Sequence, residues 1–171
     1  MKISKILNND KLSLSFEVFP PKNDTAFESV KYATEEIAKL SPSFMSVTYG
    51  AGGGTSRYTL EIAKNIKQNY GVPTLAHLTC VSSTRETVAK RIAAMKDAGI
   101  QNVMALRGDI PDSMAGDDRT QWDYRYAIDL VHQLRAAGIA VDGDCLTPAQ
   151  CADAICAACA ARGIPFNPPQ S

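Results

Sequence analysis

The sequence predicts an α/β protein built from repeated strand–helix units around a parallel sheet. Three observations carry this. Strand-like apolar runs begin near positions 14, 44, 74 and 102. Their spacing of about thirty residues is what one strand, one helix and two connections occupy in a βαβ unit. Each interval holds an amphipathic stretch of helical period. The runs themselves are almost continuously apolar, as in strands covered by helices. Both a (β/α)8 barrel and an open doubly wound sheet fit, and both bind ligands at the carboxyl ends of the strands.

The first strand is Leu14-Ser15-Phe16-Glu17-Val18-Phe19, stopped by Pro20-Pro21, which cannot continue a hydrogen-bonded ladder. A helix is predicted over residues 26–40, with Thr25 and Glu28 as a capping box and Phe27, Val30, Ile37 and Leu40 on its inner face. Ser41-Pro42 ends it. The second strand, Phe44 to Thr48, runs into the glycine-rich loop Tyr49-Gly50-Ala51-Gly52-Gly53-Gly54-Thr55-Ser56. A helix over residues 57–70 ends at Gly71. The third strand is Pro73 to Thr79. Ser83 and Glu86 form a second capping box before a helix carrying Val88, Ile92 and Met95, which stops at Gly99. The fourth strand spans Asn102 to Arg107. A long polar loop, residues 108–121, precedes a helix predicted over 122–137 with Tyr124, Ala127, Val131 and Leu134 inward and Gly138 at its end. Loops of that length in compact domains are usually functional or disordered.

The last segment changes character. Residues 139–141 read as a short strand, Thr147-Pro148 as a helix start, and 149–162 as a helix rich in alanine and cysteine. The proline-rich end, residues 164–171, is expected to be loose. Four of the five cysteines lie here, with Cys156 and Cys159 in C-x-x-C spacing. A second close pair and a histidine are lacking in this tail, so no metal site is assigned.

Composition bounds the function. Lysine plus arginine equals aspartate plus glutamate, 18 of each, which gives no support for nucleic-acid or acidic-membrane binding. No apolar run is long enough to cross a bilayer, and residues 1–11 are too polar for a signal peptide. A cytoplasmic protein without membrane or nucleic-acid partners is the expectation.

Unusual polar groups gather where strands end: Glu17 on the first, Thr48 on the second, His77 on the third, and Arg107 with Asp109 after the fourth. Glu17 interrupts an apolar run. A carboxyl enclosed by Phe16, Val18 and Phe19 would hold its proton near neutral pH, as a general acid must. The alternative is a solvated position on an edge strand. Each other residue also has a plain structural reading: a core histidine, a strand-forming threonine, a local ion pair. The glycine run is neither a Walker loop nor a dinucleotide fingerprint. Their placement at one end of consecutive strands is what points to an active site.

Taken together, Phe16-Glu17-Val18-Phe19-Pro20-Pro21, Val47-Thr48-Tyr49-Gly50-Ala51-Gly52-Gly53, His77-Leu78-Thr79-Cys80, Ala105-Leu106-Arg107-Gly108-Asp109 and Tyr126-Ala127 resemble the methylenetetrahydrofolate reductase family. The resemblance covers Leu14 to Arg135. It implies a (β/α)8 barrel holding FAD at the strands' carboxyl ends. NADH or NADPH reduces the flavin, and hydride then passes to a folate substrate. Glu17 matches the family's general acid, and Asp109 matches an aspartate near flavin and pterin. Thr48, Tyr49, Ala51, His77, Arg107, Gly108, Asp109, Tyr126 and Ala127 match flavin-contacting positions.

The resemblance also implies what is missing. A barrel of this type needs about 250 residues, and the chain has 171. The family's fifth strand, ending in Tyr-Pro-Glu-x-His, is replaced by Asp142-Gly143-Asp144-Cys145. Residues 1–138 are therefore expected to form the amino-terminal half of the flavin barrel, and 139–171 an atypical tail. An incomplete barrel leaves strand edges and an apolar interior open, so a homo-oligomer is expected. Two other functions compete: a catalytically inactive binding or assembly module, and a metal or redox role for the cysteines of the tail.

Overall fold

A computed structural model describes residues 1–8, 12–21, 23–50 and 56–139 of the protein. Its centre is a four-stranded parallel sheet. The strands are β1 (Ser15–Val18), β2 (Phe44–Val47), β3 (Thr74–Thr79) and β4 (Asn102–Leu106), in spatial order β1-β2-β3-β4. Sequence neighbours are thus spatial neighbours throughout, and the order does not reverse as it would at the switch point of a doubly wound sheet. The four strands form an incomplete barrel of the (β/α) type.

Among the described residues five helices accompany them: α1 (Ile3–Leu7), α2 (Phe27–Lys39), α3 (Ser56–Tyr70), α4 (Arg85–Asp97) and α5 (Ala127–Ala136). Helix α3 packs on β2 and β3, α5 on β4, and α2 lies beside α3. Side chains alternate across a strand, so every second residue meets the helices. Val18, Met45, Val47, Ala76 and Leu78 take that face and share one core with Ile62, Ile66, Val88, Ile92, Met95, Leu130 and Leu134. The opposite face carries Glu17, Ser46, His77, Thr79, Met104 and Leu106, which the register places on alternate positions to that core.

Several expected boundaries are corrected. The short helix α1, which buries Ile3 and Ile6, was not expected. The Thr25–Glu28 box does not form: Asn23 caps a 3-10 turn over Asp24–Ala26 by accepting from the Ala26 N–H, and α2 begins at Phe27. Leu40 is exposed rather than inward, and Thr34 and Ala38 are the buried residues of α2. Thr84, not Ser83, caps α4, its hydroxyl accepting from the Thr87 N–H at 3.2 Å. The helix after β4 starts five residues later than expected, at Ala127 in place of Trp122. Asp129 fixes that start, accepting from the backbone N–H groups of Arg125 and Tyr126 at 2.9 and 3.0 Å. Tyr124 remains buried, as expected, but from the segment before the helix. The loop after β4 contains two 3-10 turns, Asp112–Met114 and Arg119–Gln121. The expected strand at 139–141, apart from buried Ile139, and the tail helix with its cysteines lie outside the described residues.

Candidate functional site

The sheet brings Glu17 and His77 together from strands that are not neighbours. In register, Glu17 stands beside Ser46 on β2, and His77 lies on β3 on the same face. The Ser46 hydroxyl donates to Glu17 Oε2 at 3.2 Å. His77 Nε2 lies 3.7 Å from the same oxygen. Burial holds the His77 imidazole below its usual pKa, and the Glu17 carboxylate pulls it partly back up. His77 therefore favours its neutral form. Its Nε2 is buried and has no hydrogen-bond partner among the described residues.

The expected apolar enclosure of Glu17 is corrected. Its side chain is 47% exposed. Phe16 and Val18 adjoin it in sequence, but the strand pleat turns them toward the helices. The neighbours that matter are Ser46 and His77.

The end of the sheet is tied together by backbone. The Thr48 N–H extends the ladder to the Val18 carbonyl at 2.9 Å, and the Thr48 carbonyl accepts from the Thr59 hydroxyl at 2.9 Å. After β3, the Val81 N–H donates to the Arg107 carbonyl at 2.8 Å. Cys80 is buried beneath this junction, with Sγ 4.0 Å from the Arg107 carbonyl oxygen and 3.9 Å from that of Tyr126. Burial pushes its thiol up to about 11, so it is no nucleophile at neutral pH. Cys80 thereby links the loops after β3 and β4 to the start of α5, and His77, Arg107, Gly108 and Tyr126 share one end of the sheet.

Gly108 is required there twice over. Its φ is +86°, and a Cβ would stand 2.9 Å from Val81 Cγ1 and 3.1 Å from Thr79 Cβ. The Arg107 side chain turns back to donate from Nε to the Gly108 carbonyl at 3.2 Å. Asp109 is exposed on the loop that follows, Tyr126 is exposed, and Ala127 is half-buried at the first turn of α5. Tyr49 is placed differently from the rest. Its ring is buried on the helix side of the sheet, beneath the Arg91 guanidinium of α4 at 5.5 Å. Only its backbone can face a ligand at the strand ends. Ala51 lies outside the described residues.

Ser46 was not singled out from sequence. The signal was present: a small hydroxyl inside an apolar strand, two residues before Thr48 and hence on the same face. Among the described residues, no group of three histidine, cysteine or acidic side chains could hold a metal ion, and no helix is long and apolar enough to cross a membrane.

The geometry is that of an incomplete (β/α) barrel, four parallel strands with polar groups collected toward their carboxyl ends. The family can be stated directly. The family model described as methylenetetrahydrofolate reductase matches residues 2–161, further at both ends than the resemblance read from motifs, and the chain belongs to that family. A maize protein named methylenetetrahydrofolate reductase (NADH) 1 is 36% identical over 135 residues, covering 79% of this chain and 23% of the maize protein. The 5,10-methylenetetrahydrofolate reductase of Pectobacterium carotovorum is 35% identical over 128 residues, 75% of this chain and 41% of that one. For the Buchnera aphidicola enzyme from Acyrthosiphon pisum the figures are 36% over 137 residues, 78% and 43%. The chain thus spans less than half the length of these relatives. Membership makes the family chemistry an oxidoreduction of folate in one-carbon metabolism, on a barrel-type fold.

The described residues offer groups that a bound redox cofactor could meet. The buried, unpartnered Nε2 of His77 is a polar atom that a ligand edge would satisfy. The positive-φ turn at Gly108 and the amino end of α5 offer backbone at the same end of the sheet.

Proposed function

We propose that this chain forms the amino-terminal part of a site that reduces 5,10-methylenetetrahydrofolate to 5-methyltetrahydrofolate, with NADH or NADPH as reductant and FAD as cofactor. The observation that carries the reading is the convergence of Glu17, Ser46 and His77 on one sheet face, in a chain of this family. Bound FAD would supply the hydride chemistry, accepting from nicotinamide and donating to folate.

The chain's own residues do the rest. Backbone of Thr48 and Tyr49, together with Ala51, His77, Arg107, Gly108, Asp109, Tyr126 and Ala127, holds the cofactor. Glu17 donates a proton to a folate nitrogen as the methylene bridge opens. Its carboxyl is open to a substrate on one side and held by Ser46 on the other. Asp109, exposed on its loop, places negative charge where a cationic folate intermediate would form. A neutral His77 offers its ring to the cofactor without adding a second positive charge.

Glu17→Gln tests the assignment. It should leave reduction of the flavin by NAD(P)H within about twofold of wild type. It should slow the folate half-reaction by about 10²–10⁴, the usual worth of a positioned general acid. An equal fall in both half-reactions would remove Glu17 from this role.

A second reading rests on a different observation. β1 and β4 each have only one neighbouring strand among those described, and Met104 and Leu106 are exposed on the inner face of β4. Such a face favours association, and a homo-oligomer or an assembly module without turnover would use it. Multiple copies per particle without bound flavin would favour this reading over the first.

A further inference from the structure

We infer that Ser46 is a positioning residue for Glu17, engaging Oε2 so that the acidic proton is carried and delivered by Oε1. This rests on the general-acid reading of Glu17 and deepens it. An ionised carboxylate only accepts hydrogen bonds, so the 3.2 Å contact must be donated by the Ser46 hydroxyl. On the other side, His77 Nε2 stands 3.7 Å from the same Oε2. Among the described residues no hydrogen bond reaches Oε1. The two oxygens are therefore unequal. Oε2 faces β2 and β3; Oε1 is left for substrate.

Ser46 is built into this position. It is 7% exposed. Its strand neighbour in register is Glu17 itself, and the parallel ladder fixes the distance between their Cα atoms. The groups facing Glu17 from the packed strands are Ser46 of β2 and His77 of β3.

The proton step balances simply. With Glu17 protonated, Oε1 carries the hydrogen and Oε2, as carbonyl oxygen, accepts from Ser46. The Oε1–H bond breaks as the folate N–H bond forms, and the electron pair stays on the carboxylate. The Ser46 hydrogen bond then becomes charge-assisted and stronger. The device thus favours the proton-donating direction.

Ser46→Ala and Ser46→Thr test this, read in two ways. The first follows the Glu17 carboxyl carbon by 13C NMR during a pH titration, with its resonance assigned by loss in Glu17→Gln. Ser46→Ala removes a bond stronger to the charged form than to the neutral one. The carboxyl should then bind its proton about three- to tenfold more tightly, while Ser46→Thr stays near wild type. An unchanged titration in a folded Ser46→Ala protein overturns the positioning role, whatever the activity. The second readout is the folate half-reaction, which should slow by about tenfold in Ser46→Ala and recover in Ser46→Thr. A shifted titration with no folate reaction in any variant keeps the contact between the two residues. It removes the general-acid reading, so the two failures are distinguishable.

Discussion

Replacing Gly108 by alanine tests how tightly the ends of β3 and β4 are built. Two costs are legible. The backbone sits at φ +86°, and an L-residue in the left-handed region costs about 1–2 kcal/mol. The new methyl would also lie 2.9 Å from Val81 Cγ1 and 3.1 and 3.3 Å from Thr79 Cβ and Cγ2. Overpacking of this kind costs about 1–3 kcal/mol. Together they give about 2–5 kcal/mol. At about 2–4 °C per kcal/mol for a chain of this size, the melting temperature should fall by about 4–20 °C. Gly71 supplies the control: its φ is +68° but nothing lies within 4 Å of a Cβ there. Gly71→Ala should show the backbone cost alone. Urea unfolding followed by circular dichroism measures both. If the two variants lose the same stability, the crowding against Val81 and Thr79 is not real and the close junction of the two loops is wrong.

Further predictions concern the two buried titratable groups at the site. Burial lowers the His77 pKa from its ordinary value of 6.5, so the unfolded chain binds that proton more readily than the folded one. His77 therefore costs no stability above pH 6.5, and stability is lost as pH falls below it. Urea midpoints measured between about pH 8 and pH 5 should decline less in His77→Gln than in wild type. The Glu17 carboxylate raises the His77 pKa, so in Glu17→Gln the His77 ring resonance should titrate at still lower pH by NMR. A move to higher pH would show that the two are not facing each other. With its thiol pushed up to about 11, Cys80 should resist iodoacetamide near neutral pH in the native protein and react on unfolding, read by mass spectrometry of its peptide. Rapid native labelling would contradict its placement beneath the loop junction.

Most of the fold was legible because period and spacing carry it. The apolar runs and their interval located all four strands, and the glycines at 71, 99 and 138 marked where helices stop, each with positive φ. Helix starts were less legible, since capping depends on which polar side chain reaches which N–H. Asn23, Thr84 and Asp129 won over Thr25, Ser83 and the stretch from Trp122. Helix α1 escaped notice because one short turn with two buried isoleucines leaves too little periodicity to see.

The site was legible as a set of strand ends and not as an environment. Glu17 and His77 do share a face and come within 3.7 Å. The enclosure of Glu17 was misread because sequence neighbours on a strand point to opposite faces, whereas its true neighbours come from β2 and β3. The same alternation sends the Tyr49 ring to the helix side beneath Arg91. Gly108 stood in a motif, but the reason for glycine there, a close approach by Val81 and Thr79, exists only in three dimensions.

Everything proposed for this site depends on the strand ends holding a flavin. The direct measurement is the visible absorption spectrum of the purified chain, incubated with FAD and then desalted. Flavin bands that persist after desalting, and weaken in a Gly108→Ala variant, are the predicted result. A protein that stays colourless while folded would contradict the claim and leave the family membership without the activity.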